Sequence, residues 1–138
     1  MPAHALIYPM FAMVLLSFIV VLTLFRVRSK SVQDGKVKAS HFQTYTGPPE
    51  PDKSIQISRH FSNLFEAPVL FYAVCITGIV LGMTDLAFHI LAWVYVGLRI
   101  CHTLIHTGPN VLIWRIGAYF TSWFVLVGLW TYLVVHVS

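Results

Sequence analysis

Four apolar runs, each long enough to cross a bilayer, take up most of this chain. They extend from Ala5 to Phe25, from about Arg59 to Leu81, from Leu86 to His106 and from Val111 to Val137. A spanning helix needs about 20 predominantly apolar residues, so a chain of 138 residues holds four such helices and little else. Only 10% of the residues are charged, whereas soluble domains carry about 25%. That is too little charge to cover a surface facing water, which excludes soluble globular, disordered and coiled-coil folds. The runs are continuous and do not alternate, so they read as helices and not as barrel strands. The expected fold is all-α and integral to a membrane: an antiparallel four-helix transmembrane bundle forming a single domain over residues 1–138, with one long loop at 26–58.

The links support this division. Asp34-Gly35, Gly47-Pro48-Pro49 and Pro51 punctuate the long loop, Gly82-Met83-Thr84-Asp85 forms a short turn, and Thr107-Gly108-Pro109-Asn110 breaks the chain before the last run. The first run is read as a retained helix. No Lys or Arg precedes it, and Arg26, Arg28 and Lys30 follow it as a stop-transfer cluster in place of a small-residue cleavage site.

The basic residues set an expected orientation. Arg26, Arg28, Lys30, Lys36, Lys38 and Lys53 lie in the first loop, Arg59 at its edge and Arg115 beside the third link. The second link holds Asp85 and neither Lys nor Arg. By the positive-inside rule the first and third links face the cytoplasm, and both termini lie on the other side. The net charge of +4 is thus a topology signal and not a nucleic-acid footprint, and no nucleic-acid partner is expected. The two cysteines, Cys75 and Cys101, lie in apolar runs without CxxC or zinc-ligand spacing. Both are expected to be buried and inert.

Against this apolar background, polar residues inside the runs stand out, because charges within a spanning helix are costly unless paired or functional. The second run opens with Arg59, Asn63 and Glu66 at i, i+4 and i+7, a spacing that puts them on one face of a continuous helix. The third carries Arg99, His102 and His106 at i, i+3 and i+7. The fourth has Arg115 near its start and Tyr119 one turn on, and the first ends in Arg26-x-Arg28. In an antiparallel bundle all of these fall at one end, where they can meet in a single cavity. The plain alternatives are snorkelling for Arg26 and Arg28, a simple ion pair for Arg59 with Glu66, and core histidines or a metal pair for His102 and His106. No metal site is assigned. A surplus of guanidinium over carboxylate suits a ligand bearing carboxylates, while Asn63 and Glu66 suit an amine or amide N–H. Glutathione is one molecule of that description.

Taken with the topology, Arg59-x-x-x-Asn63-x-x-Glu66 resembles the R-x-x-x-N-x-x-E signature of the MAPEG family, the membrane-associated proteins in eicosanoid and glutathione metabolism. Arg99-x-x-His102 and Arg115 add to the resemblance, which covers essentially the whole chain. It implies a homotrimer with glutathione, as cosubstrate, held between neighbouring protomers. It also implies glutathione contacts from Arg59, Asn63, Glu66, Arg99 and His102, to which the stripe on the third run adds His106, with Arg26 or Arg28 from the end of the first helix, and catalytic roles for Arg115, which would steady the thiolate, and Tyr119. The implied activity is that of a glutathione-dependent transferase or peroxidase acting on a hydrophobic electrophile from the bilayer. The alternative is a noncatalytic lipid- or partner-binding scaffold of the same fold. The chain departs from the prostaglandin-synthesising members at Leu64, His106 and Ile116. A b-type cytochrome using His60, His89, His102 or His106, and a small channel, are rival classes.

Overall fold

In a computed structural model describing residues 1–138, the first apolar run opens with a 3-10 turn at Ala3–Leu6 and continues as helix α1, Ile7–Gln33. Pro9 sits in the first turn of α1, where a missing N–H costs little. The helix passes its expected end at Phe25, because nothing between Arg26 and Gln33 breaks it until Asp34-Gly35, with Gly35 at φ 69°. The long loop is therefore shorter than the polar composition of residues 26–58 indicates. It contains one further helical turn, α2, His41–Thr44.

The second span is built from two pieces. Helix α3, Asp52–Asn63, starts behind Pro51 and has Asp52 in its first turn, where a carboxylate suits the helix dipole. It begins before the expected Arg59 because its early polar residues are amphipathic: Ser54, Ile57 and His60 point inward at a spacing of three. The chain then turns at Leu64–Glu66 and resumes as α4, Ala67–Val80. The expected uninterrupted helix from 59 to 81 is thus corrected. Pro68 has no N–H, and its ring would collide with the carbonyl of residue 64 in a continuous helix. Helices α5, Leu86–Thr107, and α6, Leu112–Val137, complete the bundle. There are no strands, and four helical segments are long and apolar enough to cross a membrane.

Helices α5 and α6 run alongside each other, α1 packs on α3, α4 and α5, and α4 packs on α6. The core is thin: only 33 of the 138 residues are buried. Phe71 stacks on Tyr95 with ring centres 4.4 Å apart. Gly78 lets α4 approach Phe88 and Leu6, since a Cβ there would lie 3.0 Å from the Phe88 ring and 3.2 Å from the Leu6 side chain. The outer surface is apolar instead, with Phe25, Val80, Ile113, Trp114 and Phe124 among its most exposed side chains. This inside-out distribution suits lipid and not water. Cys75 is buried, but Cys101 is exposed, contrary to expectation. It falls off the buried stripe of α5 that carries Arg99, His102 and Thr103.

Candidate functional site

The inward stripe of α5 changes character along its length. Phe88, Ala92 and Tyr95 form its apolar part, and Arg99, His102 and His106 continue the same helical spacing toward the end of the bundle that carries the loop. All six side chains are buried. The helix therefore delivers a guanidinium and two imidazoles to the interior by the periodicity that delivers its core residues.

Beside these histidines lies an open cavity of about 580 Å³, within the usual range for small-molecule sites. Arg59, Ser62 and Asn63 line it from α3, His102 and His106 from α5, and Arg115 and Tyr119 from α6. Asp52, Ile55, Gln56 and Asn110, which sequence reasoning missed, complete much of the remainder. Ile116 and Phe120 supply an apolar flank. The arrangement can take a polar ligand with carboxylates on one side and an apolar group on the other.

Secondary interactions hold these walls in place. The Gln56 amide donates to the His106 carbonyl and the Lys53 ammonium to the Thr107 carbonyl, so α3 caps the last turn of α5. Asn110 adopts the left-handed conformation, φ 53°, which asparagine tolerates better than most residues. Its N–H closes the end of α5 on the Ile105 carbonyl. Its side-chain oxygen accepts a 2.7 Å hydrogen bond from Arg115 Nη1. The Gly108-Pro109-Asn110 turn was visible in the sequence; its role in aiming Arg115 was not.

Neither Glu66 nor Arg99 lines this cavity. Glu66 lies in the turn between α3 and α4, so helical spacing does not account for its place next to the site. The Tyr119 hydroxyl donates to Glu66 Oε2 at 3.3 Å. Arg99 is fully buried. Its Nε donates to the Tyr95 hydroxyl at 3.1 Å, and its guanidinium carbon lies 5.4 Å from the Tyr95 ring centre and 5.3 Å from that of Tyr119. Tyr119 thus links the buried cation, the exposed carboxylate and the cavity.

The two α1 arginines are placed differently from each other. Arg28 donates to Glu50 at 3.3 Å, to Ser58 at 3.2 Å and to Tyr45 at 3.3 Å, and sits against the rings of Phe42 and Tyr45. Ser54 also donates to Glu50. This clasp fastens the loop to α1 and α3, and it keeps Arg28 out of the cavity. Arg26 is exposed and makes no hydrogen bond or ion pair within its own chain. His89, the most isolated of the sequence candidates, faces the Asp85 and Pro2 carbonyls at the opposite end of the bundle, away from His102 and His106.

Residues 6–135 match the model of the MAPEG family. The chain belongs to that family. MAPEG proteins include glutathione transferases, peroxidases and synthases, and the family commonly uses glutathione. Searches of curated proteins and of solved structures give no match. The MAPEG match spans all four membrane segments and every residue of the cavity.

Proposed function

We propose that this MAPEG protein is a glutathione-dependent membrane transferase or peroxidase that activates the glutathione thiolate against a lipophilic electrophile. The observation that carries this reading is the cavity shared by Arg59, Asn63, His102, His106, Arg115 and Tyr119, polar on one side and bordered by the apolar Ile116 and Phe120. Arg59 and Asn63 are placed to hold the peptide, and Glu66 lies within reach of Tyr119 at its edge. Arg115, fixed by Asn110, supplies the positive charge for the sulfur.

The energetics are reasonable. A thiol with a pKa near 8.5 is only a few per cent ionised at pH 7. Lowering that pKa by about two units takes roughly 2.7 kcal/mol of preferential anion stabilisation, which one guanidinium in a partly dry cavity can supply. The thiolate then attacks an electrophilic carbon and expels its leaving group. With a hydroperoxide it attacks oxygen: an S–O bond forms, the O–O bond breaks and the departing alkoxide takes a proton. Tyr119 is placed to donate a hydrogen bond or proton in either case.

The reading includes a homotrimer, the usual assembly of the family, in which Arg26 of one protomer reaches the cavity of the next. It also places the basic loop end on the cytoplasmic side and both termini opposite. The deciding measurement is turnover of chlorodinitrobenzene together with glutathione binding. Arg115→Ala should lower kcat/KM about 25-fold at pH 7, as the thiolate fraction falls from roughly three-quarters to a few per cent when the two pKa units above are lost, while glutathione still binds. Unchanged kcat/KM refutes the mechanism, and binding without any turnover in the native protein identifies a noncatalytic scaffold.

A further inference from the structure

Arg99 is a buried cation that the chain itself does not balance. Its side chain is fully buried, and a guanidinium keeps its proton at any depth. Nε donates to the Tyr95 hydroxyl, but Nη1 and Nη2 are buried without a hydrogen-bond partner. An unpaired charge is among the costliest groups a fold can bury. The ring faces of Tyr95 and Tyr119, 5.4 Å and 5.3 Å away, ease that cost. They supply neither a counter-charge nor acceptors for the Nη hydrogens.

The carboxylates of the chain are all placed elsewhere. There are five. Glu50 pairs with Arg28, Asp34 with Lys36, and Asp85 with His136. Asp52 is exposed at the start of α3, and Glu66 is exposed beside the Tyr119 hydroxyl. A second copy of the chain supplies none either, since Arg99 has no surface left for a neighbour to touch. The balancing charge must therefore be small and diffusible.

We propose that Arg99 anchors a binding site for one compact monovalent anion, a halide of the Cl⁻ or Br⁻ type, in the interior of the bundle next to His102. The donors are at hand. Nη1 and Nη2 give charge-assisted hydrogen bonds, the strong kind. The Tyr95 hydroxyl accepts from Nε and keeps its own proton to give. His102, one turn on along the same buried face of α5, has an unpartnered buried Nδ1 that donates in the tautomer protonated there. A halide thus meets both needs of Arg99, charge and acceptor. The cavity reaches His102 and Tyr119 but not Arg99. Those two rings, with centres 5.7 Å apart, are the layer an incoming anion has to pass, by rotation about soft χ2 torsions. A single-atom anion needs a smaller passage there than sulfate, phosphate or a peptide carboxylate. Arg59 and Arg115 on the cavity wall draw anions toward it. The site does not rest on the glutathione reading.

The test uses full-length protein in detergent micelles, without glutathione, exchanged into sodium gluconate and titrated with chloride or bromide at constant ionic strength. Two quantities are read: Tm, which an anion bound only by the folded state raises, and the NMR linewidth of chloride, which binding broadens. The expected result is a Tm rise that saturates with either halide, and a chloride line that broadens with protein and sharpens again on adding bromide. Sulfate should do neither. Arg99→Met replaces the charge by an apolar side chain of similar length, a change that buried ion sites often tolerate. It should lose the whole halide-dependent rise and the broadening. Tyr95→Phe removes only the hydroxyl donor and should weaken halide binding about tenfold, while Arg115→Ala should keep the full response. Halides that act no differently from gluconate, a matching response to sulfate, a response that survives in folded Arg99→Met, or one that vanishes in Arg115→Ala would each overturn the proposal. A last arm adds saturating glutathione to the native protein: if the chloride line then sharpens, Arg99 serves the peptide and the halide site is refuted, while the transferase reading stands. Failure in the arms without glutathione likewise leaves that reading intact.

Discussion

At the scale of single residues, the position of Arg115 rests on Asn110. The asparagine does two jobs: its backbone accepts a left-handed φ of 53°, and its carboxamide oxygen holds the guanidinium at 2.7 Å. Asn110→Gly separates them, since glycine keeps the backbone conformation and loses the side chain. The expected outcome is a Tm close to that of the native protein with kcat/KM lowered about tenfold, a loss in keeping with one hydrogen bond to a charged group. Asn110→Asp should also fold, yet its carboxylate would compete with the thiolate for Arg115 and lower turnover as well. Steady-state kinetics of the two variants beside their melting curves check this; native turnover in both would show that Arg115 needs no anchor. Arg28 makes the opposite point. It is an arginine at the expected depth, but with Glu50, Ser58 and Tyr45 around it it fastens the loop and does not reach the cavity.

At the scale of elements, close approach decides how the helices fit. Gly78 lies where α4 meets Phe88 of α5 and Leu6 of the first turn, and a Cβ would already sit at 3.0 Å and 3.2 Å from them. Gly78→Val should therefore overpack the joint and cost about 1–3 kcal/mol, read as a lower midpoint in thermal or denaturant unfolding in micelles; an unchanged midpoint would mean that α4 shifts freely at this level. The four spans were legible from the sequence because length and hydropathy alone define them. The polar end of α5 was legible because Arg99, His102 and His106 keep the helical period of Phe88, Ala92 and Tyr95. The break after Asn63 was not read, although Pro68 announced it: Arg59, Asn63 and Glu66 imitate an uninterrupted helix, and the turn that Pro68 imposes happens to leave Glu66 next to Tyr119. The start of α3 was hidden because Asp52 and Lys53 look like loop, while the inward spacing of Ser54, Ile57 and His60 is too short a pattern to stand alone. His60 enters the sequence reading only as a haem-ligand candidate because its neighbours, His102 and His106, come from another helix; only the packing of α3 on α5 brings the three together.

At the scale of the whole molecule, the proposed site opens outward, and a cation on α1 stands without a partner. The cavity is open on the surface, and Arg26 stands exposed on α1 without a partner of its own. If α1 of each protomer serves the cavity of its neighbour around a three-fold ring, a heterologous interface of this kind repeats at every junction. Loss of Arg26 and loss of Arg59 then damage opposite sides of the same junction. Arg26→Ala and Arg59→Ala should each reduce activity when expressed alone. When the two variants are co-expressed in equal amounts, a junction is intact only where an Arg59→Ala protomer lends its native α1 to the native cavity of an Arg26→Ala protomer. Random assembly makes that true at about one junction in four, so activity should return to about a quarter of the native value, added to about a quarter of each variant's own background. Mixing the separately purified and stably assembled variants should restore nothing, because their protomers do not exchange. If co-expression also restores nothing while both variants remain trimeric and folded, Arg26 and Arg59 serve the same protomer, and the site is complete within a single chain.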